Sequence, residues 1–461
     1  MRAGSEEASK VQACPEGDNL SRHINTATRR NAVRSVMLTL LAVTLAACAT
    51  APEAVMAPIG ATAPDASVVS MLVATTRAET GEVGEPYSGE RGSAVDVNEV
   101  EVSIPPDRNR RIGEVQWPKK LPPDPERDFA TVSARKIDGI GDARKWLAKH
   151  QNHSGRLLLF VHGFNTRYEN SVYRFAQIIH DSGTDSAPIL FTWPSRGSVF
   201  AYGYDKESTN YSRTALEAIL TAAAEEKSVR EVTILAHSMG TWLTVESLRQ
   251  MAIRNGRIAP KITDVILASP DLDVDVFRQQ LVDMGPNRPK FTIFVSRDDR
   301  ALQVSRRISG NVSRLGQIDI DDPVVRAQLE AEGITVLDLS KLRGGDRLNH
   351  SKFADSPEMV QLLDKRLISG QTITDQDIGL GAQLGATALS VTNTVGAAAG
   401  VAVAAPISII DPSTRNNLDD QVNNLNGSLS ETIGGLVPVA GPVLQTCTGN
   451  SVRCVDPAKL R

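Results

Sequence analysis

Short apolar and β-branched runs alternate with longer amphipathic segments from about residue 68 to residue 367. This alternation is typical of a mostly parallel sheet that is covered by helices on both faces. The predicted strands are residues 68–75, 100–104, 129–134, 157–161, 189–192, 232–235, 265–268, 291–295 and 335–337. The predicted helices are residues 141–150, 170–181, 210–225, 238–254 and 357–368. The pattern therefore predicts one α/β domain between two ends of different character.

The N-terminal end contains an uncharged and mostly apolar run, residues 36–47, which follows three arginines. A basic segment followed by an apolar stretch of this length is typical of a secretory signal and is too short to span a bilayer. The run ends in Leu-Ala-Ala-Cys48, which resembles a bacterial lipobox. The resemblance implies cleavage before Cys48, acylation of its thiol and a lipid anchor in the cell envelope. The alternative is an ordinary signal peptide.

The composition along the chain divides it into four predicted segments. Residues 1–47 are a lipoprotein signal peptide with an extended, polar N-terminal region, and residues 48–67 are an Ala/Pro-rich tether. Residues 68–370 are the α/β domain, and residues 371–461 are a Gly/Ala-rich tail that docks on the domain or on a membrane. Ala49 follows the acylated cysteine, which in a Gram-negative cell resembles sorting to the periplasmic side of the outer membrane.

Composition excludes several classes of protein. The 461 residues are 41% hydrophobic and 23% charged, which is ordinary for a chain that buries a core. The net charge is −4, and a nucleic-acid-binding protein usually carries a basic surplus instead. Cys447 and Cys454 are close enough in sequence for a small disulfide loop in an oxidising compartment, and two free thiols are the alternative. No cysteine and histidine spacing indicates a zinc site, so neither a metal nor a cofactor is predicted.

A candidate nucleophile follows the predicted strand at residues 232–235. The chain reads Ala236-His-Ser238-Met-Gly240 and then continues as a helical segment. A serine at a sharp strand-to-helix turn, with small residues two positions before and two after, is the nucleophile-elbow pattern. The helix N-terminus also favours negative charge that develops at the serine. The alternative for Ser238 is an ordinary helix N-cap.

A second loop follows the predicted strand at residues 157–161 and reads His162-Gly163-Phe164-Asn165. A His-Gly pair in this position resembles the oxyanion loop of alpha/beta-hydrolases. In that resemblance the backbone N–H groups of Phe164 and Met239 hold the oxyanion. We expect His162 to brace the loop, and proton transfer by His162 is the alternative.

The remaining catalytic candidates come later in the chain. The strand at residues 291–295 leads to Ser-Arg-Asp298-Asp299, and alignment with the turn of this superfamily puts Asp299 at the triad acid, with Asp298 as the second candidate. Both could instead be solvated turn residues. His350 follows the last predicted strand and is the only histidine after Asp299. The order serine, acid, histidine matches the alpha/beta-hydrolase order, so His350 is the predicted base.

Two other segments lie close to these motifs in sequence. Residues 191–205 contain Trp193, Tyr202, Tyr204 and Asp205, which either line the acyl or leaving-group pocket or pack as a long loop. Asp271 and Asp273 follow the strand at residues 265–268. We expect both to cap the next helix rather than to face the site.

Five motifs over residues 68–368 together resemble a bacterial alpha/beta-hydrolase family of unknown function. They are His162-Gly-Phe-Asn165, Thr192-Trp-Pro-Ser195, Ala236-His-Ser-Met-Gly240, Ser296-Arg-Asp-Asp299 and Asn349-His350. The resemblance implies the doubly wound hydrolase fold and a Ser-His-Asp triad, but it implies no substrate. The sequence predicts a membrane-anchored serine hydrolase, a carboxylesterase or lipase-like enzyme that acts on a small-molecule or lipid ester. The alternative is a catalytically silent envelope lipoprotein that uses the fold to bind a partner or lipid.

Overall fold

One mixed sheet runs through the part of the chain that the computed structural model describes, which is residues 53–150, 154–342, 345–363 and 387–389. Cys48, Cys447 and Cys454 lie outside the described residues, as do the predicted signal peptide and most of the tail. The strands are β1 (Ser67–Glu82), β2 (Glu85–Ile104), β3 (Ala130–Lys136), β4 (Arg156–Val161), β5 (Ala187–Thr192), β6 (Glu231–His237), β7 (Ile262–Ala268), β8 (Lys290–Val295), β9 (Thr335–Asp338) and β10 (Thr387–Leu389).

Helices connect most of these strands. They are α1 (Gly139–His150), α2 (Tyr168–Ser182), α3 (Tyr202–Glu225), α4 (Met239–Asn255), α5 (Val274–Met284), α6 (Arg300–Ile308), α7 (Pro323–Ala331), α8 (Lys352–Asp355) and α9 (Pro357–Leu362). Two buried apolar clusters lie on opposite faces of the sheet. The prediction of helices on both faces of a mostly parallel sheet is confirmed.

The strand order is β10-β9-β8-β7-β6-β4-β5-β1-β2-β3. Strands β1 and β4 to β9 pair in parallel, and every residue of β5 is buried. Burial on both faces explains why these strands read as continuous apolar runs. Because the strands are parallel, the loops that follow β4, β5, β6, β7 and β8 all emerge at one edge of the sheet, where ligands bind in folds of this kind.

The N-terminal end of the sheet is antiparallel, with β2 between β1 and β3. Strands β1 and β2 are 16 and 20 residues long, far longer than the predicted strands at residues 68–75 and 100–104. The last four residues of β1 and several residues in the middle of β2 are exposed. Because these segments are exposed to solvent, neither of their faces has to be apolar. Their sequence therefore lacks the alternation of apolar and polar residues that indicates a strand.

The sequence reading missed helices α5, α6 and α7 and placed the start of α3 too late, at residue 210. Asp273, Asp299 and Asp322 cap the three missed helices by accepting hydrogen bonds from backbone amides. Helix α6 buries only Leu302 and Ser305, so it has no broad apolar stripe to detect. Tyr202 is the first residue of α3 rather than part of a loop.

The predicted tether, residues 48–67, extends too far into the chain. Val55 and Met56 are buried in the core, and Val55 O accepts a hydrogen bond from Tyr173 Oη at 2.8 Å. The Ile59 amide donates to Thr131 O on β3 at 2.9 Å. The folded domain therefore includes residues from Val55 onward, because two apolar side chains within the Ala/Pro-rich segment are enough to dock it.

At the opposite edge, β10 pairs antiparallel with β9, so three residues of the predicted tail extend the sheet. None of the helices within the described residues combines the length and the apolar character needed to cross a bilayer.

One buried cation joins the loops at the edge of the sheet where the functional motifs emerge. Arg77 lies on β1 and is 1% exposed, and burial lowers its pKa to about 10. Its guanidinium reaches three separate segments: the β1–β2 hairpin, the loop after β4 and the end of β5 with its following loop. The acceptors are Thr192 Oγ1 (2.9 Å), Ser195 O (2.9 Å), Thr166 O (2.7 Å) and Ser88 O (3.2 Å).

Replacement of Arg77 by methionine is expected to lower the free energy of unfolding by about 3 kcal/mol, because several buried acceptors lose their donor. Arg77→Lys should lose less, since an ammonium supplies fewer donors and lacks the planar fork. Urea denaturation measures both. As a control, Arg135→Met on the exposed face of β3 should change the value by less than about 0.5 kcal/mol. An equal effect at both positions would contradict the linking role of Arg77.

Candidate active site

Ser238 lies between the end of β6 and the start of α4 and has a positive φ of 52° with a ψ of −123°. A residue with a side chain rarely adopts a positive φ, so the surrounding structure must hold this backbone. The Ser238 amide donates to Ala268 O at 3.0 Å, and Ser238 O accepts from the Asp271 amide at 3.3 Å. The turn is therefore fixed from β7 and its following loop, as the elbow pattern requires.

Two glycines allow the oxyanion loop to approach this turn. A Cβ on Gly240 would lie 2.3 Å from His162 O, and a Cβ on Gly163 would lie 2.8 Å from Ser238 Cβ. Both separations are shorter than side chains tolerate, so the loop after β4 and the first turn of α4 contact each other through backbone. This contact is the physical reason for the small residues around Ser238.

The two predicted oxyanion donors are free. Within the described residues, the amides of Phe164 and Met239 donate to no acceptor. Met239 is the first residue of α4, where a helix leaves its N–H groups unpaired. The amides that follow Phe164 are used: Asn165 N donates to Asp205 Oδ2 at 3.4 Å and Thr166 N to Ser195 Oγ at 3.0 Å. The loop is thus held while two amides remain available for a developing negative charge.

His162 is engaged at both ring nitrogens. Its Nδ1 donates to Gly163 O at 2.8 Å, and its Nε2 accepts from the Trp193 amide at 3.0 Å. The Trp193 indole stacks on the ring with centroids 4.8 Å apart and donates to His162 O at 2.8 Å. Burial lowers the pKa of His162 well below its ordinary value. His162 is therefore a neutral brace of the oxyanion loop.

Asp299 and His350 form a direct pair. His350 Nδ1 lies 2.7 Å from Asp299 Oδ2, and the other oxygen of this fully buried carboxylate accepts from the Leu302 amide at 3.0 Å. Burial opposes protonation of the imidazole, but the Asp299 carboxylate outweighs burial and raises the pKa of His350 above its ordinary value of 6.5. Asp299 thus fixes Nδ1 as the protonated nitrogen and leaves Nε2 free to act as a base.

Asp298 is occupied by other contacts. Its carboxylate oxygens both lie 2.9 Å from Lys352 Nζ, Oδ1 accepts from Ser296 Oγ at 2.5 Å, and Oδ2 accepts from Asn349 Nδ2 at 3.0 Å. These contacts tie the loop after β8 to the segment that carries His350. Of the two candidate acids, only Asp299 contacts the imidazole.

The backbone of His350 is also held from the elbow side. Its carbonyl oxygen accepts from Ser269 Oγ at 3.1 Å and lies 3.3 Å from His237 Nε2. Its amide donates to Asp346 Oδ1 at 2.6 Å, and the His237 and His350 rings have centroids 4.7 Å apart. Sequence reasoning missed Ser269, Lys352 and this use of His237, because their partners lie 54 to 113 residues away.

Ser238 Oγ makes no hydrogen bond to a described residue in this conformation. Such contacts are often formed only when substrate binds. The structure therefore brings Asp299 and His350 into contact and fixes the backbone of His350 to the residues beside Ser238. The catalytic roles of Ser238, Asp299, His350, Phe164 and Met239 stay a prediction.

The neighbouring acids divide into two roles. Asp273 caps α5, accepting from the amides of Asp275 (2.9 Å) and Val276 (3.1 Å), as predicted. The prediction that Asp271 also caps the helix is wrong. Its carboxylate is buried and accepts from Tyr202 Oη at 3.1 Å and Ser305 Oγ at 2.5 Å. These partners come from α3 and α6, 69 and 34 residues away in sequence, and no local pattern indicates that they meet.

The aromatic segment after β5 mostly packs. Trp193 is buried against His162, and Asp205 accepts from Ser195 Oγ at 2.5 Å and from the Arg196 amide at 3.1 Å. Tyr202 stands edge-on to Phe164 with ring centroids 5.3 Å apart, so it borders the oxyanion loop. Within the described residues no group of three His, Cys, Asp or Glu side chains could hold a metal ion.

Comparison with known proteins supports the family resemblance. Residues 141–366 match the family described as "Alpha/beta hydrolase of unknown function (DUF900)". A search of curated proteins gave no match. Among solved structures, an esterase from Pyrobaculum calidifontis is 9% identical, with coverage of 66% of this chain and 86% of its own and a TM-score of 0.29. A lipase-esterase related protein from Clostridium acetobutylicum is 12% identical, with coverage of 46% and 94% and a TM-score of 0.27.

The match to an alpha/beta-hydrolase family covers residues 141–366, and the strand order described above agrees with the hydrolase fold. The family name contains no substrate, so the site itself must supply the argument about function.

Gly240→Ala is expected to lower the free energy of unfolding by about 2 kcal/mol, because the new methyl group would overlap the backbone oxygen of His162. Gly203→Ala is the matched control. A Cβ there meets nothing within 4 Å, and alanine is a better helix former, so stability should be unchanged or raised by up to about 1 kcal/mol. Thermal or urea unfolding measures both. Equal stability of the two variants would contradict the close backbone contact.

Proposed function

We propose that this alpha/beta hydrolase is a lipid-anchored serine hydrolase of the cell envelope, a carboxylesterase or lipase-like enzyme that cleaves a small-molecule or lipid ester. The observation that carries the proposal is the arrangement around Ser238. Ser238 has a positive φ, the amides of Phe164 and Met239 donate to no described residue, and His350, which contacts Asp299, is tied through its carbonyl oxygen to His237 and Ser269. A structural serine would need neither the strain nor the free donors.

In the proposed reaction Ser238 Oγ attacks the ester carbonyl carbon while His350 Nε2 accepts the hydroxyl proton. Asp299 holds Nδ1 and stabilises the imidazolium that forms. The amides of Phe164 and Met239 donate to the oxyanion of the tetrahedral intermediate, and loss of one such donor typically slows turnover by about 10²–10³. Collapse expels the alcohol, which takes its proton from His350. Water, activated by the same imidazole, then releases the carboxylic acid and restores Ser238.

The neighbouring histidines favour this cycle. Burial lowers the pKa of His237 well below its ordinary value, and His162 is neutral for the same reason. A positive charge on His237, whose ring is 4.7 Å from that of His350, would oppose formation of the imidazolium. A neutral His237 leaves the Asp299 carboxylate as the charged group in contact with the base.

The envelope location is supported by the segment that precedes the domain. Leu-Ala-Ala-Cys48 at the end of a short apolar run would give the mature chain a lipid-modified N-terminus. In a Gram-negative cell, Ala49 favours the periplasmic side of the outer membrane. The folded domain begins by Val55, so the anchor would hold it close to the membrane surface.

A fluorophosphonate probe is expected to label the wild-type chain at Ser238, since the probe reacts with serines that a neighbouring base activates. Ser238→Ala should remove labelling, and His350→Ala should reduce it at least about 100-fold while the protein stays folded. Ser247→Ala, a buried serine elsewhere on α4, is the control and should label fully. Absence of labelling in the wild-type chain would instead favour the catalytically silent lipoprotein.

The pH profile is expected to separate the two acids. The base must be neutral, and its pKa is raised, so kcat/KM on p-nitrophenyl acetate should reach half its maximum above pH 6.5. Asp299→Asn removes the cause that raises this pKa, while burial still lowers it. The acid limb should move to lower pH, and kcat should fall about 10⁴-fold.

Asp298→Asn is the matched control, because it alters the loop but not the imidazole contact. Its acid limb should stay at the wild-type pH. A shifted limb in Asp298→Asn together with an unshifted limb in Asp299→Asn would show that Asp298 is the acid of the pair.

A further inference from the structure

Exposed apolar side chains lie on three segments that adjoin the candidate site. Phe200 is 97% exposed and therefore makes few contacts with the rest of the molecule. Four further large apolar residues on neighbouring segments are between 46% and 60% exposed. We call the five together the rim: Val199, Phe200, Val304, Ile308 and Leu348. A contiguous exposed apolar surface marks an interaction site, whereas scattered apolar residues do not.

Contacts show that the three rim segments adjoin one another and the site. Val199 and Phe200 lie just before α3, which begins at Tyr202. The Tyr202 ring packs edge-on against Phe164, and its Oη lies 3.0 Å from Ser305 Oγ. Ser305 is on α6, which carries Val304 and Ile308 and begins directly after Asp299.

Leu348 completes the rim on the histidine side. Its carbonyl oxygen accepts from the Arg300 amide at 2.9 Å, and it lies two residues before His350. The rim therefore borders the oxyanion loop, the acid and the base, and not a remote face of the domain.

The rim also carries unpaired positive charge. Arg300, Arg306 and Arg307 on α6 and Arg347 beside Leu348 are exposed, and none forms an ion pair with a described residue. Helix α6 contains no acidic residue. The chain as a whole has a net charge of −4, so the positive charge of these arginines is opposite in sign to the net charge of the protein. Apolar side chains flanked by arginines are the combination that binds an anionic membrane surface.

We propose that the rim docks the mouth of the active site onto an anionic lipid bilayer, from which the ester substrate is drawn. The rim side chains would enter the headgroup and acyl boundary while the four arginines contact anionic headgroups. The inference rests on the proposed function only in naming the substrate as a bilayer-resident ester. Docking itself depends on the exposed rim and its charge.

A bilayer fits these observations better than a protein partner. A partner protein would have to supply a matching acidic patch, whereas an anionic bilayer presents negative headgroups to the four arginines and an apolar interior to the five rim residues. A second copy of the same chain would bring these arginines against each other. The anchor proposed at Cys48 would in addition keep a membrane surface within reach of the domain.

The first test measures amide hydrogen exchange of the full-length protein with and without vesicles. Vesicles of phosphatidylglycerol and phosphatidylcholine are expected to slow exchange in residues 198–204 and 300–308 at least several-fold, while phosphatidylcholine alone has little effect. The C-terminal turn of α4, about 20 Å from Ser238, serves as the internal reference. Exchange is measured separately for each segment, so insertion of the lipid anchor alone would not slow exchange in the rim. Unchanged exchange in the rim with anionic vesicles would overturn the proposal.

The second test compares turnover of a long-chain ester embedded in these vesicles with turnover of soluble p-nitrophenyl acetate. Phe200→Ser should lower the ratio of the two rates about tenfold, and Arg306→Gln with Arg307→Gln should remove the preference for anionic vesicles. The matched controls are Ile253→Ser and Arg257→Gln, exposed residues at the far end of α4, and both should keep the wild-type ratio.

The outcomes separate the two proposals. Hydrolysis of soluble ester with a ratio that Phe200→Ser leaves unchanged would overturn docking and keep the esterase. Absence of hydrolysis with vesicle-dependent protection of the rim would overturn the esterase and keep docking. Protection that depends on protein concentration and not on vesicles would overturn bilayer docking in favour of self-association.

Discussion

The geometry of the site depends on one buried cation. Arg77 projects from β1 to the place where the loops after β4 and β5 meet, and it donates to acceptors in both loops and in the β1–β2 hairpin. A buried guanidinium is stable only if its donors are satisfied, so each loop must present a carbonyl or hydroxyl oxygen to it. This requirement fixes the backbone at Thr166, two residues after Phe164, and so helps to set the direction of the free Phe164 amide. The oxyanion loop is thereby set before any substrate arrives.

The same prior organisation extends to the proposed nucleophile and the proposed base. The positive φ of Ser238 is held by hydrogen bonds from the ends of neighbouring elements, and Gly163 and Gly240 let the oxyanion loop contact the elbow through backbone. Ser269 and His237 hold the carbonyl of His350, so the proposed base is tied to residues beside the elbow. A site built in this way spends little free energy on rearrangement during reaction. The exposed rim around it extends the same argument to substrate delivery from a surface.

Much of this architecture could be read from the sequence because the signals were local. Buried parallel strands gave continuous apolar runs, and the elbow combined a strand, small residues and a helix within a dozen positions. The length of the β1–β2 hairpin was underestimated because its outer part is exposed and so lacks an alternation of apolar and polar residues. Helices α5 to α7 were missed because they are short, and α6 buries two side chains only. Asp271 was wrongly predicted to cap a helix because its position after a strand suits a cap. Its actual partner Tyr202 is far away in sequence, so no local pattern indicates the contact.

By itself, the sequence determined the fold class, the alpha/beta-hydrolase resemblance and the identities of Ser238, His350 and the pair of candidate acids, since each depends on residue type, order and short-range periodicity. Only the tertiary structure decided that Asp299 and not Asp298 contacts the imidazole, that Arg77 and Ser269 support the site, and that the segments of the rim adjoin it. Adjacent residues in a turn point in different directions, and the buried Arg77 donates to acceptors up to 118 residues away in sequence. Such relations depend on how strands order themselves in a sheet, which local patterning does not encode.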